Sequence, residues 1–169
     1  RKTGQTLVEY LRPRLFDPMQ LQITSWETCP QGIEKGGWGL YLHPEDMAKL
    51  GQLYLQKGRW NVQGEMRQLV PEDWVLTSTT PHIKDTGDGK GLGYGYQIWL
   101  EPSGRYEFNG LFGQYIFVIP QHDMVVALTA GSSNLLPRSP ILDQMDRFFG
   151  PQKTFSQAVL PPDPAGQHA

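Results

Sequence analysis

The sequence predicts an α+β fold, with helices in the first half, an antiparallel sheet in the second and one closing helix. Three observations predict it. Apolar residues recur at helical spacing as far as about residue 80, and from Tyr94 to Thr129 they fall in short runs separated by turn residues. Ile141, Leu142, Met145 and Phe148 then return to a helical period. Helices followed by strands and a final helix, without strict alternation of the two, argue α+β over α/β. No internal repeat is visible.

The chain has 169 residues, enough for one domain with a core. Apolar residues make up 38%, and the 19 glycines bring the total to about half, so a packed interior is expected and disorder of the bulk is not. The net charge of -2, with no stripe of Lys and Arg, lacks the footprint of a nucleic-acid binder. No apolar run approaches the roughly 20 residues of a membrane-spanning helix. The single cysteine, Cys29, excludes an internal disulfide, and it reads as a loop or core thiol because no activating partner is placed beside it.

The first predicted helix is capped by Thr3 and carries Leu7, Val8, Tyr10, Leu11 and Leu15, with Pro13 kinking it and Asp17-Pro18 ending it. Residues 19–42 read as a long connection, in which Gly36-Gly37 serves either an ordinary turn or a close approach to a ligand. The second helix is the best marked. His43 precedes Pro44, Glu45 and Asp46, which suit a helix start; Met47, Leu50, Leu53, Tyr54 and Leu55 form its apolar face; and Lys57-Gly58 stops it. A short helix begins at Pro71. Residues 80–93 read as a mobile polar loop whose acids lack calcium-loop spacing.

Strand material follows over Tyr94 to Leu100, Arg105 to Asn109, Gly113 to Ile119 and Met124 to Thr129. Turns at Ser103-Gly104 and Pro120 to Asp123 make this an antiparallel meander, with the last strand apolar enough to be central. The domain is expected over 1–150, its helical part about 3–80 and its sheet and closing helix about 92–149. Residues 151–169 form a Pro-rich tail.

The chain does not carry a complete catalytic constellation of its own. No Ser-x-x-Lys and no Gly-x-Ser-x-Gly occurs. Ala130-Gly131-Ser132-Ser133-Asn134 reads as a strand-end loop. His43, His82, His122 and His168 show no metal spacing and read as structural, and no cofactor motif is present. Lys2-Thr3-Gly4 precedes a helix, so it is read as a coincidence with the triplet that penicillin-recognising enzymes carry on a strand.

Several segments, in order, carry a resemblance. They are Thr3 to Leu11 with Leu15-Phe16-Asp17-Pro18; Gly36-Gly37-Trp38-Gly39-Leu40-Tyr41 leading into Pro44 to Leu50; Tyr94-Gly95-Tyr96-Gln97-Ile98-Trp99; and Gly110 to Ile116 with Val118-Ile119-Pro120 and Asp123 to Val126. Together, over residues 3–149, they resemble the serine hydrolases that include class C β-lactamases, DD-peptidases and related esterases. The resemblance implies part of a β-lactamase/transpeptidase-like fold and acyl transfer through a serine, with no metal or other cofactor. The serine, lysine and tyrosine of that chemistry belong to segments upstream of the resembling region. The expectation is therefore a C-terminal portion of such a hydrolase, completed by an N-terminal segment or a second chain. Its substrate would be a small ester or amide, and self-association would follow where the missing half leaves the sheet uncovered.

The family's third motif, Lys-Thr-Gly or His-x-Gly on the strand lining the site, falls on Leu111-Phe112-Gly113, where only the glycine matches. Leu111 brings no positive charge and Phe112 narrows the cleft, which weakens carboxylate recognition more than ester chemistry. The resemblance implies a backbone N–H of the oxyanion hole at Gln114, just after that glycine, and a substrate wall of Leu111, Phe112, Gly113, Gly36 and Gly37. The rival expectation is a non-catalytic binding or structural module derived from the family.

Overall fold

The structure is a computed structural model that describes residues 3–84, 93–131 and 138–156. The chain divides into two units, residues 1–137 and 138–169.

In the first unit the N-terminal helix starts three residues later than expected. Thr6, not Thr3, caps α1 (Leu7–Leu11). The Thr6 hydroxyl accepts from the Glu9 N–H while the Glu9 carboxylate accepts from the Thr6 N–H, a reciprocal pair that only Thr6-x-x-Glu9 offers. Pro13 does not end the helix. It widens it into a π-helical stretch, Arg12–Phe16, in which the Asp17 N–H reaches the carbonyl of Arg12. Proline brings no N–H and pushes against the preceding turn, and a wide turn absorbs both effects. Helical structure continues through α2 (Asp17–Met19) and stops at Gln20, a left-handed residue.

The expected long connection holds an antiparallel hairpin, β1 (Ile23–Trp26) and β2 (Leu40–Leu42), extended by a bridge between Thr28 and Glu34. Its short apolar runs are separated by a loop too long to give a hairpin signal. Helix α3 (Pro44–Leu55) forms as expected. Its chain stops with the Gly58 N–H on the carbonyl of Leu53 and Gly58 at φ 80°.

A second hairpin, β3 (Arg59–Val62) and β4 (Glu65–Gln68), was not foreseen among the expected helices of the first eighty residues. Its two-residue turn has Gln63 and Gly64 both at positive φ, the twist that suits paired strands. Gly64 was the available signal, and Gln63 is an uncommon occupant of such a turn. Helix α4 (Glu72–Ser78) follows Pro71 as expected.

The meander is present as a five-stranded antiparallel sheet of β5 (Gly93–Tyr94), β6 (Trp99–Leu100), β7 (Tyr106–Gly110), β8 (Gln114–Ile119) and β9 (Met124–Leu128), in sequential order. Two expectations are corrected. Tyr94 to Leu100 is not one strand; it reverses over Gly95–Ile98, where the Gly95 N–H bonds the Ile98 carbonyl and Gln97 sits at φ 59°. The last strand, β9, is not central. It is an edge among the described strands and is half-buried, whereas β8 is buried along nearly its whole length. Of the polar loop expected over 80–93, Ile83 bridges to Tyr94, and residues 85–92 lie outside the described residues.

Helix α3 serves two cores. Met47, Leu50, Tyr54 and Leu55 pack on Ile98, Leu100, Tyr106, Ile116 and Val118 of the sheet. Leu53 joins Phe16, Met19 and Leu21, and Leu50 touches this cluster as well. The approach to the sheet is closest at Gly51, where an added Cβ would sit 2.5 Å from Val125 Cγ1 and 2.7 Å from Ile116 Cγ2. At the other end of the helix, the buried Asp46 carboxylate accepts from the Gln22 N–H at 2.8 Å and from Lys49 Nζ at 2.7 Å. Burial pushes its carboxyl upward, but the hydrogen bonds from Lys49 and Gln22 outweigh this and hold it below the usual carboxylate range.

The second unit contains α5 (Arg138–Phe149), the expected closing helix, and Phe149 stacks on Phe155 beyond it. Residues 151–156 have no regular structure, and the rest of the expected tail lies outside the described residues. Among the described residues, no helix is long and apolar enough to cross a membrane, and no His, Cys, Asp and Glu group is arranged to hold a metal ion.

Two outcomes follow for stability. Gly51→Ala gains up to about 1 kcal/mol of helix propensity but overpacks a closed contact by about 1–3 kcal/mol, so the urea midpoint falls. An unchanged or higher midpoint would remove this contact as a constraint. Asp46→Asn costs about 1–3 kcal/mol near neutral pH. Because the folded-state pKa of Asp46 lies below its unfolded value, its contribution is complete above about pH 4 and disappears as pH falls through the folded value. The gap between wild type and Asn variant therefore closes on acidification, as stability measured against pH will show.

Candidate functional site

Antiparallel order decides what meets at the ends of the sheet. The β5–β6 reversal at Gly95–Ile98, the β7–β8 reversal at Leu111–Gly113 and the exit from β9 at Ala130 all lie at one end. With about 4.8 Å between strands, the two reversals are about 10 Å apart across the sheet, and the β7–β8 reversal stands further out because β7 runs past the end of β6.

Leu111, Phe112 and Gly113 do not stand on a strand. They form the turn that joins β7 to β8, closed by Gly110 opposite Gln114. Phe112 and Gly113 are consecutive left-handed residues, at φ 65° and 93°. Both apolar side chains face outward, Leu111 60% and Phe112 49% exposed. The glycine-terminated strand is β7, ending Phe108-Asn109-Gly110, so the expected motif occupies the three residues past the strand's end. Gln114 opens β8, and its side-chain amide donates to the Ala130 carbonyl at 2.5 Å. Gly113 closes against the same residue, since a Cβ there would sit 2.8 Å from Ala130 Cβ. Ser132 to Asn134 lie outside the described residues.

The glycine pair reaches this end of the sheet through Gln97. A Cβ at Gly37 would be 3.9 Å from Gln97 Nε2, ordinary contact, and one at Gly36 would meet nothing. Neither glycine has a positive φ. Gly39 is the constrained one, at φ 81° with an added Cβ 2.7 Å from Glu27 Cβ. Around it, Trp38 is exposed beneath Lys35, and the Trp26 indole N–H serves the carbonyls of Lys35 and Trp38. Hydrogen bonds from Lys35 and Tyr41 hold the Glu27 carboxyl low, and the same carboxylate holds the Tyr41 phenol high. Cys29 sits in the far bend of this hairpin, its N–H on the Ile33 carbonyl and its Sγ 3.0 Å from Gln31 Oε1.

Three features escaped the sequence. One is a stack of exposed rings, with Tyr96 parallel to His82 at 4.4 Å and tilted against Trp74 at 5.4 Å. These rings come from α4, the segment after it and the β5–β6 reversal, so no local spacing links them. His82 Nε2 lies 2.9 Å from the Thr77 carbonyl, which requires the proton on that nitrogen. Another is Glu107, fully buried in β7 and 3.4 Å from the Asn109 amide. Its alternation with Tyr106 and Phe108 was the visible signal. The third is the Gln114 side chain, which the sequence gave no reason to separate from its backbone.

The central strand β7 ends in glycine and opens into an exposed turn, and α3 packs on the sheet that carries it. The Beta-lactamase family model matches residues 1–144, and the chain belongs to that family. It shares the α+β, β-lactamase/transpeptidase-like fold of two solved structures. A putative 6-aminohexanoate-dimer hydrolase from Bacillus anthracis is similar at 26% identity and a TM-score of 0.66, over 86% of this chain and 37% of that one. The octameric penicillin-binding protein homologue from Pyrococcus abyssi is similar at 18% identity and a TM-score of 0.57, over 84% of this chain and 37% of that one. The chain thus spans little more than a third of either structure's length. No curated protein matches it.

The two ends of the glycine loop separate by substitution. Gly36→Ala leaves the melting temperature unchanged, whereas Gly39→Ala costs about 1–2 kcal/mol for its left-handed backbone, with the Glu27 clash added. Equal melting temperatures for the two variants would contradict the geometry.

Proposed function

We propose that this chain supplies one wall of the acyl-transfer site of a serine hydrolase acting on an ester or amide, and that the Ser-x-x-Lys and tyrosine segments lie outside it. The end of β7 carries the proposal. A strand that closes on Gly110 opens into a turn exposed at the rim of the sheet, where a reacting carbonyl would sit. The coverage of little more than a third of either similar structure supports the idea that the nucleophile is elsewhere.

The wall's contribution is a backbone N–H that receives the developing oxyanion, worth about 3 kcal/mol in comparable sites. The donor is the residue after the glycine that ends the strand lining the site. Gly113 designates Gln114, as expected from sequence, and Gly110, which ends β7, designates Leu111. Leu111 is the stronger candidate because Gln114 stands within the β7–β8 pairing, opposite Gly110. Gly36 and Gly37 are uncrowded, Gly37 lying next to Gln97, and leave room for substrate. No metal or other cofactor enters this chemistry.

A second reading has one observation in its favour. Leu111 and Phe112 present exposed apolar side chains where the family carries a cation or a donor, which suits a non-catalytic binding or structural module. Self-association, or pairing with a second chain, is compatible with both readings.

Fluorophosphonate labelling separates them. In the protein with its native flanking sequence, a serine outside this chain becomes labelled, and the isolated chain does not. Leu111→Pro, which removes one N–H, then lowers the rate of ester hydrolysis by about a hundredfold while the protein still folds. No labelling in any form would leave the binding-module reading, and labelling within this chain would overturn both.

A further inference from the structure

The turn that this function depends on does not hold itself. Phe112 occupies the left-handed region, which a side chain disfavours, and Gly113 follows in the same region. The side chains of Leu111 and Phe112 are exposed, 60% and 49%, and neither belongs to the buried core. The support comes from one residue further on. Gln114 Cβ lies against Gly110, so close that a Cβ on that glycine would be 3.1 Å away. From there the side chain crosses to the next strand and donates its amide hydrogen to the carbonyl of Ala130, 16 residues ahead. Ala130 Cβ in turn fills the space beneath Gly113.

We infer that the Gln114 side chain is a positioning residue for the acyl-transfer site. It staples the β7–β8 turn to the end of β9 and so fixes the direction of the turn's N–H groups, without touching substrate. This rests on the function proposed above. The side chain and the backbone of Gln114 are separable, because any residue except proline keeps the N–H. Loss of the amide frees the turn to leave its left-handed conformation. The donor then spends only part of its time aimed at the carbonyl, which lowers turnover more than ground-state binding.

Gln114→Ala and Gln114→Glu test this in the protein with its native flanking sequence. Gln114→Ala is expected to lower kcat for an ester substrate at least tenfold, with KM within about threefold, at every pH. In Gln114→Glu the ionised carboxylate faces the Ala130 carbonyl with no hydrogen to offer, whereas the protonated acid donates one. Its kcat relative to wild type should therefore rise as pH falls through the glutamic-acid range, a recovery that Gln114→Ala lacks. Loss confined to KM, full kcat in Gln114→Ala, or the same pH-independent loss in both variants would overturn the inference.

Backbone order parameters from NMR relaxation provide a readout independent of activity. Those of residues 111–113 should fall toward flexible values in Gln114→Ala, while those of the paired residues of β8 and β9 stay at rigid ones. Unchanged order parameters there overturn the staple. Failure of wild type to react with fluorophosphonate or ester, with the order-parameter result intact, overturns the acyl-transfer reading and the positioning role built on it, but not the staple.

Discussion

Helix α3 meets the sheet through a contact that leaves no room for a side chain. At Gly51 the helix backbone comes down onto Ile116 and Val125, and the other elements of the first unit are arranged around that closeness. Because the helix lies so near the strands, Met47, Leu50, Tyr54 and Leu55 reach into the sheet's apolar face instead of covering it from a distance. The same helix turns Leu53 into the cluster built by Phe16, Met19 and Leu21. Asp46 then ties its first turn to the backbone of Gln22, so the N-terminal helical segment is fixed relative to the helix both by packing and by a charged hydrogen bond.

This rigid centre leaves the reversals at one end of the sheet to vary. Their geometry is set by backbone requirements: Gly95 passes so close to the Ser78 carbonyl that no Cβ fits, and Gly113 meets Ala130. The side chains they expose carry little charge. The side chains at that rim include Tyr96, Leu111 and Phe112, while the charged pair of Arg105 and Glu101 is buried at the opposite end of the strands. The turn at the end of β7 thus presents two apolar side chains to solvent.

The elements most legible in the sequence were those whose signal is local. Pro44, the acids after it, the apolar face and Gly58 marked α3 at both ends, and Ser103-Gly104 and Pro120 to Asp123 marked two turns of the meander. The β3–β4 hairpin and the β5–β6 reversal are local too, but Gln63 and Gln97 are uncommon occupants of their positive-φ positions, and other misplacements depended on partners remote in sequence. The β1–β2 hairpin pairs residues across a long loop, and β9 looked central from composition although the described sheet ends with it. Pro13 was correctly seen as disruptive, but a widened turn was not foreseen as its accommodation. At the candidate site, glycine identity was legible and register was not. Gly110 and Gly113 both stand near the end of a strand, and the hairpin pairing, rather than the motif, decides which of them terminates it.

The separation of α3 from the strands it packs against also bears on how the chain assembles. The five strands of the meander are joined by short turns, and most of their contacts close small loops. Gly51 and Ile116 are far apart in the sequence, and bringing them together closes a large loop for an entropic cost that only a formed sheet face repays. Hairpin formation over β7, β8 and β9 would then come first, with docking of α3 completing the core late. Until that step the apolar face of β8 and β9 is open to any other strand or chain nearby, so nascent copies are most vulnerable to mispairing in the interval before the helix arrives.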